Sequence, residues 1–330
     1  YGGPHAEVHA VREAEQRSSE VDFARTTLYV NLEPCDHEGK TPPCTDLVVE
    51  KGIGRLVMGI LDPYPDADAA GRGVERLRSA GVEVRSGVLE RRCRRLNEAY
   101  LHHLRTGRPL VTVKVAATLD GSIATAEGDS RWISGEVSRA LVHRWRAGSD
   151  GVLVGRGTAA SDDPRLTVRH VDGPQPIRLV LDRPGTLASD LNIFNDDHVA
   201  ATIAVVSRET DPSYRTRLEG RGGRLMQIPT RGGHLDLEAL LDRLGQSGHG
   251  ERPFFQSILV EAGTGLATAL FRADLVDRFA LFLAPKMLGG GRRIVEDLGF
   301  SSMEEALTFA EHRWRPVGED VLFLGFRHAL

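Results

Sequence analysis

Two layered α/β domains in series are predicted, and three observations predict them. Short β-rich runs alternate with stretches of helical periodicity along both halves of the 330-residue chain. The alternation breaks at Thr106-Gly107-Arg108-Pro109, which divides residues 1–106 from residues 107–330. The composition, 41% hydrophobic, supplies material for two cores.

In the front half, Pro4 is compatible with a helix that starts at His5. Thr26 to Leu32 alternates and reads as a strand. Thr41-Pro42-Pro43 reads as the cap and start of a helix to Gly52, with Cys44 in its first turn. Arg55–Ile60 (strand), Gly71–Ala80 (helix, ended by Gly81) and Val82–Arg85 (strand) follow. Leu89–Arg105 is expected as one basic amphipathic helix, with Leu96, Tyr100 and Leu104 at helical spacing. Its arginines, Arg91, Arg92, Arg94 and Arg95, read as a solvated face and Cys93 as structural. No strand precedes the His5 helix, although a helix and two strands would need on the order of 30–40 residues. The front domain is therefore expected to be incomplete at its N-terminus, with its first elements lying ahead of Tyr1.

In the second half, strands are expected at Leu110–Ala117, Gly151–Val154, Ile177–Leu181, Ala201–Val206, Gly223–Ile228, Ser257–Glu261, Arg278–Ala284 and Val321–Phe326. Helices fit Glu136–Ala147, Leu235–Leu244 and Leu266–Ala273. Two strand ends run into glycine, at Gly155-Arg156-Gly157-Thr158 and at Ala262-Gly263-Thr264-Gly265. Bare glycines let backbone amides approach a phosphate, but neither run is a full G-x-G-x-x-G, and on spacing alone tight strand-to-helix turns are the favoured explanation. Gly289-Gly290-Gly291-Arg292-Arg293 reads as a loop or a cofactor contact.

The chemistry is concentrated near the front. His5-Ala6-Glu7 and Pro34-Cys35 with Cys44 supply one imidazole, two thiols and a carboxylate that is not a ligand, the signature of zinc deaminases. A Zn²⁺ held by His5, Cys35 and Cys44 keeps a fourth position for water and lowers that water's pKa to about 7. Glu7 can then move the proton. A Cys35–Cys44 disulfide is disfavoured because no oxidising context is visible. His9 stands four residues after His5, but the glutamate of H-E-x-x-H would directly follow the first histidine, and here Ala6 does. His9 reads as a helix-side residue.

Bulk properties exclude other classes. A formal net charge of −4 gives no broad nucleic-acid footprint. The longest apolar run, about seven residues around Phe279–Ala284, is far short of the roughly 20 that a membrane helix needs. No targeting segment is visible, and a cytoplasmic enzyme is expected.

Pro4 to Ala10, Leu32-Glu33-Pro34-Cys35 and Gly39 to Cys44 closely resemble the bifunctional deaminase–reductases of riboflavin biosynthesis. Lys114 to Gly121, Ser130 to Ile133, Ala160 to Arg169, Val260 to Gly263 and Ala284 to Gly290 continue the resemblance in order. It implies a cytidine-deaminase-like α/β/α domain followed by a dihydrofolate-reductase-like α/β domain. The first would hydrolyse the 2-amino group of a diaminopyrimidine carrying phosphoribosylamine; the second would use NADPH to reduce the ribosyl group to ribityl.

By that resemblance His5, Cys35 and Cys44 bind zinc and Glu7 shuttles the proton. Ala116, Trp132, Thr158, Asp162, Arg183 and the run Gly263, Thr264, Gly265, Leu266, Ala267, Thr268 and Ala269 fall where the family binds NADPH. Ser130, Arg146, Leu166, Arg169 and Glu261 fall where it holds substrate. Arg146 and Arg169 are expected to clamp the substrate phosphate bidentately, and Lys114 and Glu261 to polarise the ribose. Arg183 is expected at the cofactor's 2′-phosphate. The family's asparagine-containing stretch ahead of the His5 helix has no counterpart here, and Tyr64 follows Asp62-Pro63 where the family favours asparagine. The expected partners are a small phosphorylated pyrimidine and further copies of the chain, with no nucleic acid and no membrane.

Two alternatives make distinct demands. A nucleic-acid-editing deaminase needs a basic surface and stacking aromatics, against a net charge of −4 and 6% aromatic residues. A reductase with a merely structural zinc-binding front domain would hold zinc without deaminase turnover.

Overall fold

The computed structural model describes residues 3–18, 20–38, 41–63, 70–246 and 255–328. Gly39, Lys40 and Tyr64, singled out above, lie outside the described residues. The chain divides into two compact units, one through Thr106 and one from Gly107.

In the front unit α1 (Ala6–Arg17) is followed by β1 (Thr27–Leu32), α2 (Cys44–Glu50), β2 (Arg55–Ile60), α3 (Arg72–Ser79), β3 (Glu83–Arg85), α4 (Glu90–Leu96) and α5 (Glu98–Thr106). The strands pair in parallel in the order β1-β2-β3, with Leu28 opposite Leu56 and Leu56 opposite Val84. Val11 from α1, Val48 from α2 and Val74 and Leu77 from α3 close on Leu56 and Met58 as one core. Each helix hides one apolar stripe against the sheet. Ligands of open parallel sheets gather beyond the strands' carboxyl ends, and β1 delivers Glu33-Pro34-Cys35 to that edge.

Two expectations change here. The single helix over Leu89–Arg105 is two, because Asn97 turns its amide back onto the Cys93 carbonyl (2.9 Å) and across to Asn31 Oδ1 (3.2 Å). Such local bonds compete with the helix ladder. Thr41 does not cap α2, whose N-cap residue is Pro43 with no side-chain bond. Of the arginines expected on a solvated face, Arg91, Arg92 and Arg94 are exposed, Arg94 pairing with Glu90 (2.8 Å), but Arg95 is half-buried against Glu98 of α5 (3.0 Å); Cys93 Sγ donates to the Val88 carbonyl (3.7 Å).

The second unit contains β4 (Leu110–Thr118), β5 (Ser122–Ala124), α6 (Glu136–Ala147), β6 (Gly151–Gly155), α7 (Arg156–Asp162), β7 (Ile177–Leu181), β8 (Thr202–Ser207), α8 (Pro212–Glu219) and β9 (Arg224–Ile228). A ribbon β10 (Thr230–Arg231) with β11 (His234–Leu235), then α9 (Leu237–Gly245), β12 (Ser257–Glu261), α10 (Thr264–Arg272), β13 (Arg278–Ala284), β14 (Arg292–Arg293), β15 (Glu311–Val317) and β16 (Asp320–Phe326) complete it. Among the described residues nine strands form one sheet in the order β15-β16-β13-β4-β12-β6-β7-β8-β9. It is parallel from β13 to β9, and β16 and β15 add antiparallel at one edge.

Side-chain alternation sends Val111, Val113 and Val115 of β4 to one face, under Leu240 and Leu244 of α9 and Leu270 of α10. Thr112, Lys114 and Ala116 point to the other face, where Val142 of α6, Ala159 of α7 and Tyr214 and Leu218 of α8 pack. The short strands β5, β10, β11 and β14 were not expected, nor were α7, α8 and β15. α7 opens inside the glycine run, α8 is a short polar helix begun by Asp211 capping Ser213 (2.7 Å), and β15 is an exposed edge strand that tolerates Pro316. The Gly289–Arg293 segment forms a ribbon with β5, its turn held by Leu288 N and Gly289 N donating to Asp120 (3.0 and 2.9 Å).

Candidate active sites

The first site lies where three element ends meet. His5 is the extended residue just ahead of α1, Cys35 follows the end of β1, and Cys44 opens α2. His5 Nδ1 is 3.5 Å from Cys35 Sγ and 3.3 Å from Cys44 Sγ, and the three donor atoms lie within 4.8 Å of one another. Zn–S and Zn–N bonds of about 2.3 and 2.0 Å at tetrahedral angles put neighbouring ligand atoms roughly 3.5–3.8 Å apart. The donor set and its spacing therefore fit zinc. Glu7, in the first turn of α1, accepts from Cys44 Sγ at 3.6 Å with Oε2 and stands beside the cup. His9 is exposed on α1 and outside the cluster.

The two thiols are not equivalent. The hydrogen bond from Cys44, that residue's backbone N–H at 3.3 Å and nearby His5 outweigh burial and lower the Cys35 thiol to about 6. Cys44 is pushed up by its bond to Cys35, by burial and by the Glu7 carboxylate. The first turn of α2 by itself favours thiolate at Cys44. Its 1% exposure and Glu7 reverse that, and Cys35 ionises first.

Sequence reading missed the supports. Glu33, 5% exposed, accepts backbone N–H bonds from Asp62 (3.0 Å), Gly71 (2.9 Å) and Val74 (3.0 Å), tying the end of β1 to the start of α3. Asp36, next to Cys35, accepts from Thr45 Oγ1 (2.6 Å) and Arg76 Nη1 (2.7 Å). Burial opposes ionisation of Asp36, but Thr45 and Arg76 win and hold its carboxyl below the ordinary value. Glu33 directly precedes Pro34-Cys35, a position that could have marked it.

The second site forms on the α6 face of the large sheet. Register pairs Lys114 of β4 with Glu261 of β12, so both side chains point to that face. Arg146, one turn beyond Val142 on α6, meets Glu261 with a bidentate fork, Nε to Oε1 at 2.5 Å and Nη2 to Oε2 at 2.9 Å, and gives Nη1 to the Thr167 carbonyl at 3.0 Å. Burial pushes Glu261 up, yet Arg146, and behind it Lys114 and His143, hold it at about 2. Burial lowers Lys114, Glu261 opposes that and Arg146 adds to it. Arg169 lies exposed nearby, with Nη1 on Thr167 Oγ1 (2.9 Å); its charge is disfavoured by burial and by Arg146 and Arg165.

Arg146 was expected on the substrate phosphate. Here its fork is committed to Glu261, and the exposed guanidinium groups are those of Arg169 and Arg165. Leu166 between them is buried, at 1% exposure. Arg165 was missed because nothing but its neighbours in space distinguishes it.

The positions expected around the cofactor distribute as follows. A Cβ on Gly263 would lie 3.1 Å from Thr158 Oγ1, so the two glycine runs stand side by side, as the pairing of β12 with β6 requires. Within α10, Ala267 and Thr268 are buried, whereas Gly265 and Ala269 are exposed. The assigned run therefore covers both faces of the helix. Trp132, 64% exposed, has the Arg139 guanidinium 4.6 Å over its ring and its carbonyl bonded by Lys286 Nζ. The Asp162 carbonyl accepts from Arg131, Arg183 is exposed, and Ala116 and Ser130 are half-buried. Neighbouring Arg156 pairs with the buried Asp182 at 3.3 Å.

Residues 2–60 match the family model of the cytidine and deoxycytidylate deaminase zinc-binding region, and residues 109–323 that of the RibD C-terminal domain. Fold and sites thus define a two-domain enzyme, a zinc-dependent deaminase of cytidine-deaminase-like fold with an NADPH-dependent reductase of dihydrofolate-reductase-like fold. The chain is 37% identical to the riboflavin biosynthesis protein RibD of Aquifex aeolicus, covering 99% of this chain and 86% of that one. The Acinetobacter baumannii RibD structure superposes with a TM-score of 0.82 at 32% identity over 99% of this chain and 86% of that chain. The diaminohydroxyphosphoribosylaminopyrimidine deaminase/5-amino-6-(5-phosphoribosylamino)uracil reductase of Thermotoga maritima does so with 0.81 at 34% identity and the same coverage. The chain belongs to the RibD family of bifunctional deaminase–reductases of riboflavin biosynthesis. Among the described residues no helix is long and apolar enough to cross a membrane.

Proposed function

We propose that residues 1–106 deaminate 2,5-diamino-6-(5-phosphoribosylamino)pyrimidin-4-one and that residues 107–330 reduce the ribosyl group of the product. In the first site His5, Cys35 and Cys44 hold zinc, which when bound supplies an activated water. Glu7 takes that water's proton and passes it to the departing amine, for which its place beside Cys44 is suited.

The second site would hold NADPH, which when bound would supply the hydride for the ribose C1′. As the ring opens, its oxygen needs a proton. Lys114, made more acidic by burial and by Arg146, donates it. Glu261, held ionised by Arg146, orients the ribose hydroxyls. Arg169 with Arg165 takes the phosphate, with Ser130 and, through its backbone because its side chain is buried, Leu166 as further substrate contacts. Ala116, Trp132, Thr158, Asp162 and the residues from Gly263 to Ala269 take the cofactor, with Arg183 on its 2′-phosphate. The α10 start, with no side-chain cap on Gly263, suits a phosphate.

The observation that carries this reading is the pairing of Lys114 with Glu261 under the Arg146 fork. Thiolate ligands suit a reducing compartment, in keeping with the cytoplasm. A homo-oligomer is in keeping with the edge strand β15, where Trp314 is 56% exposed.

The test is NADPH oxidation with the deaminated pyrimidine nucleotide in wild type, Lys114→Ala and Glu261→Ala. Losses of about 10²–10⁴ in kcat are expected for Lys114→Ala. Unchanged rates in both variants would refute the assignment.

A further inference from the structure

Residues 163–169 belong to no helix or strand, yet their backbone is clamped by side chains from elsewhere. The Arg165 carbonyl accepts from Arg178 Nη1 (2.9 Å) and the Thr167 carbonyl from Arg146 Nη1 (3.0 Å). Gln175 brackets Val168, accepting its N–H at 2.8 Å and donating to its carbonyl at 2.9 Å. The Arg169 N–H donates to His143 Nδ1 at 3.2 Å. Two non-glycine residues in the run are left-handed, Asp163 at φ 43° and Leu166 at φ 54°. Such conformations persist only where the surroundings over-determine them, and they concentrate at ligand clamps. The products of all this holding are the placements of Arg165, Thr167 and Arg169.

His143 differs from the other clamps. It lies on α6 one turn ahead of Arg146, is 5% exposed, and touches the edge of the His170 ring at a centroid distance of 4.5 Å. Only a neutral imidazole has a lone pair on Nδ1 for the Arg169 N–H, which leaves its proton on Nε2. Burial, Arg146, Arg169 and His170 all disfavour its charged form. The Arg169 guanidinium itself donates from Nη1 to Thr167 Oγ1 at 2.9 Å.

We propose that His143 is a positioning residue of the reductase reaction: its imidazole fixes the Arg169 backbone so that this guanidinium meets the substrate's phosphate. The proposal rests on the reading of Arg169 as a phosphate ligand. It adds the residue that makes that ligand effective.

The test uses the full-length enzyme with NADPH and the deaminated nucleotide, and ribose 5-phosphate as a competitive probe. His143→Leu removes the acceptor, His143→Gln moves it one bond too far out, and His143→Asn keeps an oxygen near the Nδ1 position. For leucine and glutamine alike, KM and the inhibition constant of ribose 5-phosphate are expected to rise about tenfold, the worth of one hydrogen bond. The loss falls on KM rather than kcat, NADPH affinity does not move, and His143→Asn restores most of it. Should the leucine variant fail to fold, the glutamine variant carries the same expectation. In an Arg169→Ala background His143→Gln should add nothing, the mark of coupled residues. If Arg169→Ala itself leaves ribose 5-phosphate binding unchanged, the phosphate reading fails. If it weakens binding while His143→Gln binds like wild type, or loses NADPH affinity in step, the positioning role is overturned.

Discussion

Replacing Arg146 with methionine removes the fork on Glu261 and leaves a carboxylate, 15% exposed in its side chain, without its hydrogen-bonded cation. Glu261 sits at about 2, below its ordinary value of 4.5. Its ionised form therefore stabilises the fold above pH 4.5, and that contribution is lost as pH falls towards 2. At about 1.4 kcal/mol per tenfold change, the contribution is about 3 kcal/mol at pH 7 and roughly half that at pH 3. Stranding one member of a buried ion pair independently costs about 3–5 kcal/mol.

All three tryptophans, Trp132, Trp145 and Trp314, lie beyond Thr106. Urea unfolding followed by tryptophan fluorescence thus reports on the reductase unit alone. The expected result for Arg146→Met is a destabilisation of about 3 kcal/mol at pH 7 that narrows towards pH 3. Arg146→Lys should recover only part, because an ammonium cannot reproduce the two parallel bonds. A destabilisation below about 1 kcal/mol, or one that does not change with pH, would refute the reasoning.

Two further substitutions probe the deaminase unit. Glu33→Ala orphans three backbone donors and should cost about 3 kcal/mol or more, with zinc lost faster to a chelator than from wild type. Equal rates of zinc loss would remove Glu33 from the support of Cys35. Gly59→Ala places a methyl 2.2 Å from Cys93 Sγ and 2.8 Å from the Asn31 carbonyl. It should destabilise the unit by about 1–3 kcal/mol, read as a shorter half-life of deaminase activity on heating, while NADPH oxidation is spared.

The sites were legible in the sequence to different depths. His5, Cys35 and Cys44 declare themselves because a metal dictates donor types and places them at element ends. The apolar runs of β4, β6, β7 and β8 stand out because strands of a parallel sheet are covered on both faces. β15 was invisible for the opposite reason: Glu311 to Pro316 is an exposed edge with no alternation to detect. α7 was hidden by its glycines, which read as a turn, and Asn97 broke a helix through a bond to Asn31, 66 residues away. The most consequential omission was the use of Arg146. A guanidinium suited to phosphate is suited to carboxylate as well, and only the meeting of α6 with β12 decides that Glu261 takes it.

The claim on which the deaminase reading stands most directly is the ligand set around the metal. Zinc-edge X-ray absorption of the purified enzyme measures it. Two sulfur scatterers at about 2.3 Å and two nitrogen or oxygen scatterers at about 2.0–2.1 Å are expected, falling to one sulfur in Cys44→Ser. Zinc with no sulfur neighbours, or a spectrum that Cys44→Ser leaves unchanged, would contradict it.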